Sequence, residues 1–520
     1  MSNLPPVAPP PFSRRRVLGT AALTFAFFVF ASPGRLDTID AMPRAEVAAN
    51  LVTLGRPEIT DPRLFNHPVV RNNGEWYYSP YSAPPSLFGA ATIAMGRAAF
   101  GASPSLDLLY FLLATPAIAS AGMLLLLDTC RRLGAQAPRA LATCLVTAGA
   151  TLLLPYGGSA FDQAQHAAVA MGAVWATVRA LQSPGGAAWV VPGLFVGLGM
   201  AYREVHGIWV VGPVAAAASA LAGRARLAAL ARIGAGLLPG VALVLFWNLW
   251  RTGSPLPSGV SDSGHPLIGN PLVGLLGLTV SPGKGLIWYS PPVLLGLLGL
   301  QGLLRHHRAA AFAIIGLALS HTALYAWFTF FGGDWCWGPR YMLVPAVVLM
   351  AAAPWCALPS YAQRGVVALG LVVQLLALGR DYAFYIFDAR LPPNFQYEHP
   401  DVYFTGSALL ARPAEVLQVF VGGLPPEVGR FTSGFDAEVV TGANMYGGLS
   451  EIGTDWMKSY AVFWLPTPWW AWMPLVPKPL QPYPPGVMLG LVGALAVGGA
   501  LLIKRDLEGR REGRGEERRD

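Results

Sequence analysis

The sequence predicts an all-α polytopic membrane protein of about 12 transmembrane helices. Three observations predict it. Hydrophobic residues make up 54% of the chain and charged residues only 12%, against roughly 25% charged in a soluble domain. Several apolar runs exceed the ~18 residues that mark a membrane-spanning helix. Clusters of Arg recur at alternate gaps between the runs, as orientation in a membrane requires. The net charge of +8 lies largely in short loops and the tail. No basic stripe with interleaved aromatics accompanies it, so nucleic acid is not an expected partner.

In chain order, the expected spans are 15–33, 106–129, 140–156, 162–182, 187–202, 206–222, 233–250, 285–304, 309–331, 340–359, 365–383 and 485–503. Ser13-Arg14-Arg15-Arg16 before the first run has the form of an export signal. No small-x-small cleavage site follows it, so an uncleaved first helix is expected. The segment 85–101 is apolar but interrupted by Arg97 and short for a bilayer. It reads as a re-entrant or interfacial helix.

Positive charge supports that choice. With Arg14, Arg15 and Arg16 in the cytoplasm, Arg131, Arg132, Arg139, Arg224, Arg226, Arg305, Arg308, Arg364 and the Lys504-Arg505 tail also fall inside. Counting 85–101 as a span would reverse every cluster that follows it, from Arg131 onward, and put them outside. The outside then receives a first loop at 34–105, a turn at 157–161, a loop at 251–284, the turn 332–339 and a long segment at 384–484. That last segment mixes Pro, Gly and aromatics and has no assignable fold. The tail 504–520 is dense in Arg and Glu and reads as a solvated end. Cys130, Cys144, Cys336 and Cys356 have no metal-binding spacing and read as small buried residues.

Charges at bilayer depth need a reason, and the candidates cluster at outer ends of spans. Asp37 and Asp40 follow the first span. Asp162 and His166 open the fourth and share a helix face four residues apart. Arg203, Glu204 and His206 sit at an outer turn, and Asp334 and Arg340 frame GGDWCWGPR. Carboxylates can deprotonate an acceptor hydroxyl, and Arg can hold a phosphate by paired hydrogen bonds. A surface Asp after a span can instead be a helix cap.

These residues lie in segments that resemble the GT-C superfamily of membrane glycosyltransferases, near the protein O-mannosyltransferases and lipid A aminoarabinose transferases. DAMPRAEVAANLVTLG at 40–55 is similar to the acidic opening of that superfamily's first outer loop. Ala41 stands where a second acidic residue is usual. NGEWYYSPYSAPPSLFGA at 73–90 resembles the stretch leading into an interfacial helix, without the Lys some relatives carry; Arg71 and Arg97 are the nearby cations. SPGKGLIWYSPPVLLGLLGL at 281–300 and GGDWCWGPRYMLVPAVVLM at 332–350 resemble two later outer turns. Asp162 matches the second acidic position.

The resemblance implies a GT-C-like catalytic module over 1–383, a periplasmic segment at 384–484, a last helix at 485–503 and a cytoplasmic tail at 504–520. It implies an enzyme of the inner (plasma) membrane that moves a sugar from a polyprenyl-phosphate donor to a hydroxyl of a lipid, glycan or protein, with inversion. Asp40 would be the base and Asp162 the second carboxylate. Asp37, Arg44, Tyr81, His166, Arg203, Lys284 and Arg340 would bind substrate. No cofactor is fixed, and a divalent metal at the carboxylates stays an open option. Two alternatives remain: a transporter of lipid-linked saccharide, and an enzyme like the O-antigen ligases or polymerases. The first is disfavoured because no paired halves with broken helices are evident. The second is kept by the long segment 384–484.

Overall fold

The computed structural model describes residues 11–38, 40–59, 70–72, 76–183, 186–255, 267, 269–333, 336–380, 382, 401–421, 467–472 and 485–516. The first part of the chain forms α1 (Arg14–Ala31), α2 (Ala41–Leu54), β1 (Glu58–Ile59), β2 (Val70–Asn72), β3 (Trp76–Tyr78) and α3 (Ala83–Phe100). The bundle continues with α4 (Pro104–Leu112), α5 (Ala114–Arg132), α6 (Ala137–Ala150), α7 (Leu153–Gly157), α8 (Gln163–Gln182), α9 (Val190–Tyr202), α10 (Val211–Ala220) and α11 (Gly223–Thr252). Then come α12 (Pro271–Thr279), α13 (Leu286–Tyr289), α14 (Val293–His306), α15 (Arg308–Ala326), α16 (Leu343–Met350) and α17 (Ser360–Gly379). Short helices α18 (Val402–Thr405), α19 (Ala408–Val421) and α20 (Trp469–Trp472) precede the last, α21 (Pro485–Glu516).

Helix overlies each expected apolar run, but often not as one continuous rod. Among the described residues, five helical stretches are long and apolar enough to cross a membrane: Leu106–Arg132, Gly223–Thr252, Arg308–Ala326, Ser360–Gly379 and Pro485–Glu508. The run 140–156 breaks at Thr151, which is extended, into α6 and α7. The run 340–359 is a 3₁₀ turn (Arg340–Met342), then α16, then a second 3₁₀ turn (Ala353–Trp355). Hydropathy sums over a window and is blind to such breaks.

The expectation of a purely helical chain needs one correction. β1, β3 and β2 form a three-stranded antiparallel sheet between α2 and α3, with Glu58 opposite Tyr78 and Arg71 opposite Tyr77. The central strand is Trp-Tyr-Tyr, residues that favour a pleated, half-buried surface. Strands this short leave too little alternation to detect. The segment expected to lie at the interface is α3, which packs along α2 and α4. Its Arg97 is bound by both oxygens of Asp107, at 2.9 and 2.7 Å.

The Ala-rich helix α8 lies at the centre, buried along nearly its whole length against α5, α9 and α16. Small residues let the outer helices approach. α9 carries Gly193 and Gly197, α11 carries Gly236 and Gly240, and a Cβ at Gly240 would strike the carbonyl of Gly197. Two small-xxx-small faces thus meet back to back, a packing mode that suits lipid because it needs no hydrophobic drive. The first and last helices pair likewise, with a Cβ at Gly19 only 2.7 Å from the carbonyl oxygen of Gly499. Buried Arg16 and Asp506 close one end of that pair. All four cysteines are free and buried, as their spacing predicts.

Most of 384–484 lies outside the described residues. Within it, α19 packs on α17 and buries the ion pair Arg412–Glu415 at 3.1 Å. Trp469 of α20 donates to the carbonyl of Val29 at the end of α1.

Candidate active site

The carboxylates are placed by the chain's exit from α1. Asp37 accepts from the Ser159 hydroxyl at 2.6 Å and the Ala160 N–H at 2.9 Å, tying the first loop to the α7–α8 turn. Asp40 occupies the N-cap position of α2, yet its side chain makes no capping hydrogen bond. Its backbone is already helical there (φ −62°, ψ −26°), whereas a capping residue is typically extended. The carboxylate instead accepts from the Tyr81 hydroxyl at 2.6 Å. Helix capping therefore does not explain Asp40.

One turn along α2, Arg44 links the two acidic positions. Its guanidinium lies 4.5 Å over the Tyr81 ring, and its Nη2 is 3.0 Å from Asp162 Oδ2. Asp162 stands at the head of α8, also without a capping bond. His166, one turn below, places Nε2 3.5 Å from the same oxygen. Asp162 and Arg44 are each only 2% exposed. Asp162 Oδ1 and Arg44 Nε and Nη1 are buried with no hydrogen-bond partner among the described residues. Burying such atoms unpaired costs free energy, so the site carries donors and an acceptor that a polar ligand could satisfy.

A wall of rings continues from His166. It meets Tyr202 and His206 edge-on, with centroids 4.9 and 4.8 Å away. His206 stacks on Trp209 at 4.2 Å and reaches the Tyr325 hydroxyl at 3.2 Å. Trp209 donates to Nδ1 of His321 at 2.9 Å. That donation leaves the His321 proton on Nε2, which faces the Tyr341 carbonyl at 2.8 Å. Tyr325 and Tyr341 stack at 4.4 Å.

Of the cations expected to bind substrate, Arg340 was expected at the donor phosphate, together with Arg203 or Lys284. Arg203 follows α9, is partly exposed and makes no ion pair among the described residues; its guanidinium sits 5.8 Å from the Tyr341 ring. Arg340 is buried, lies 5.1 Å from the Phe161 ring and 5.0 Å from that of Tyr341, and donates to the Tyr341 hydroxyl at 3.2 Å. Lys284 differs from both. Its buried ammonium donates to the carbonyls of Cys336 at 2.7 Å and Gly338 at 3.1 Å, so it braces the turn that leads to Arg340.

The fold thus joins Asp40, Tyr81, Arg44, Asp162 and His166 through consecutive contacts. Arg203 and Arg340 share Tyr341, while Asp37 and Lys284 serve as ties. Arg97, considered as a nearby cation, is engaged by Asp107, and that hydrogen bond raises its pKa above the ordinary value. Asp334 lies outside the described residues, as does the side chain of Arg71. Sequence reasoning left out Tyr202, Trp209, His321, Tyr325 and Tyr341. His321 carried the only clear signal, an ionisable residue deep in an apolar run. Among the described residues, no group of three His, Cys, Asp or Glu side chains is placed to hold a metal ion.

No protein-family model matches the chain. No curated protein matches it either. Among solved structures, it is similar to ArnT from Cupriavidus metallidurans in the apo state, with 15% identity over 93% of this chain and 77% of that one and a TM-score of 0.48. The same protein bound to undecaprenyl phosphate gives 14% identity over 92% and 77%, with a TM-score of 0.48. The Archaeoglobus fulgidus oligosaccharyltransferase in the apo form gives 13% identity over 87% of this chain and 60% of that one, with a TM-score of 0.40. At this level the likeness is one of overall course, and it carries no residue role to this chain.

Proposed function

We propose that the chain is a membrane glycosyltransferase that moves a sugar from a polyprenyl-phosphate donor to an acceptor hydroxyl on the outer face of the plasma membrane, with inversion. The observation that carries this reading is the paired carboxylate site. Asp40 and Asp162 come from different elements and are bridged by Tyr81 and Arg44, and buried polar atoms there await partners. The sequence resemblance to the GT-C superfamily supports the donor class, and the distribution of Arg supports the side.

Asp40 is the base. It removes the acceptor hydroxyl proton as that oxygen bonds to the anomeric carbon. The carbon–oxygen bond to phosphate breaks, and the polyprenyl phosphate leaves with the electron pair. Because that leaving group is a weakly basic anion, no strong acid is needed opposite the base, unlike the two-carboxylate machinery of glycoside hydrolases. Asp162 orients the acceptor through Oδ1. Arg203 and Arg340 hold the phosphate.

Asp40→Asn tests this reading in protein reconstituted with polyprenyl-phosphate sugar. Asn is nearly isosteric, and its carbonyl oxygen can still accept from Tyr81. General-base catalysis contributes roughly a hundredfold to ten-thousandfold. The variant should insert and melt like the parent and lose at least about a hundredfold in turnover. Near-native turnover by Asp40→Asn would remove the mechanism.

A further inference from the structure

We infer that Arg251, in the last turn of α11, is a positioning residue for the Asp40 site; this rests on the role proposed above for Asp40. Arg251 is far from Asp40 in sequence and is 6% exposed. Its Nη1 donates to two carbonyls, those of Ser79 and Tyr81, each at 3.0 Å. Its Nη2 is held by Asn248 Oδ1 at 2.7 Å. One turn earlier on the same helix, Trp247 donates to the Tyr81 carbonyl at 3.2 Å. α11 thus grips the backbone of the turn that carries Tyr81.

The side chain of Tyr81 is where that grip is felt. Its hydroxyl donates to Asp40, and its ring lies beneath Arg44, which in turn pairs with Asp162. Within the turn after β3, the Tyr81 N–H donates to Ser79 Oγ at 3.1 Å. A planar guanidinium that bridges two carbonyls fixes both at once, which a flexible ammonium does less well. Small misplacements of catalytic groups are costly in rate. Arg251 therefore acts on the reaction through Tyr81, without touching substrate.

The test is a double-mutant cycle on the reconstituted full-length protein, with Asp40→Asn alongside. If Arg251 works through Tyr81, Arg251→Gln and Tyr81→Phe should each lower kcat, by about tenfold for the loss of one buried hydrogen bond, with the donor KM little changed. The double variant should be no slower than the worse single one, because coupled residues are not additive. Arg251→Lys should recover part of the loss. A purely structural role would lower the yield of folded protein without sparing the double variant, so rates are normalised to folded enzyme. Additive losses, or an Arg251→Gln enzyme of parental kcat, overturn the inference while an inactive Asp40→Asn leaves the base in place. An active Asp40→Asn removes the base itself, whatever Arg251 does. Should Arg251→Gln fail to fold, the cycle is run with Trp247→Phe, which removes a second grip on the Tyr81 carbonyl.

Discussion

At the scale of single residues, the cations divide by what their charge is used for. Lys284 spends donors on the Cys336 and Gly338 carbonyls; the Gly338 carbonyl also accepts from the Arg340 N–H at 3.2 Å, so Lys284→Met should leave the Cys336 carbonyl without its donor. Such a loss costs about 1–3 kcal/mol and should lower the melting temperature of the ligand-free protein. If Lys284 instead served the donor phosphate, the melting temperature would hold and only the donor KM would rise. Arg203 is the converse case, since it has no ion pair among the described residues to lose. Arg203→Lys keeps the charge but not the two-pronged geometry, so it should raise the donor KM and spare thermal stability; an unchanged KM would exclude Arg203 from phosphate binding. The sequence made these residues visible because charge is rare in a chain of this composition. It could not say which charge was already satisfied by backbone, nor that Tyr81, an ordinary aromatic, joins Asp40 to Arg44. Those facts depend on contacts across 41 residues for Tyr81 and Asp40 and 170 for Arg251 and Tyr81.

At the scale of elements, the apolar runs were legible because a helix in lipid must satisfy its own backbone and so leaves a long continuous signal. The breaks were not. Thr151 interrupts a helix inside buried protein, where a neighbouring side chain replaces a lost bond: Ser290 accepts from the N–H of Leu152 at 2.9 Å. Close helix crossings were also hidden, since a glycine in an apolar run gives no sign of what it faces. Gly240 and Gly234 on α11 make a matched pair for testing this. A Cβ at Gly240 collides with Gly197, whereas one at Gly234 meets nothing within 4 Å. Gly240→Ala should destabilise by the ~1–3 kcal/mol typical of overpacking, read as a lower melting temperature in detergent. Gly234→Ala should be neutral or stabilise by up to about 1 kcal/mol through helix propensity. Equal effects at the two sites would mean that α9 and α11 do not cross as described.

At the scale of the whole molecule, the arrangement ties the site to one end of the bundle. Asp40 follows α1, Asp162 precedes α8, Arg203 follows α9 and Arg340 precedes α16, so four helix ends supply the residues of the candidate site. The proposed transfer needs both a charged headgroup and a soluble acceptor to reach the site, which requires it to face water at the lipid phosphate level. Orientation then decides which compartment supplies the acceptor. The Arg clusters predict the outside, because positive loops are retained in the cytoplasm. The four native cysteines are buried, so single cysteines can be introduced against a quiet background. Arg56 lies beyond α2 with its side chain about 50% exposed, and Gln136 is exposed between α5 and α6. In intact cells, a membrane-impermeant maleimide should label Arg56→Cys and not Gln136→Cys, and permeabilised cells should label both. Labelling of Gln136→Cys alone in intact cells would turn the protein over. The carboxylate site would then open to the cytoplasm, where a transferase fed from the outer leaflet could not work.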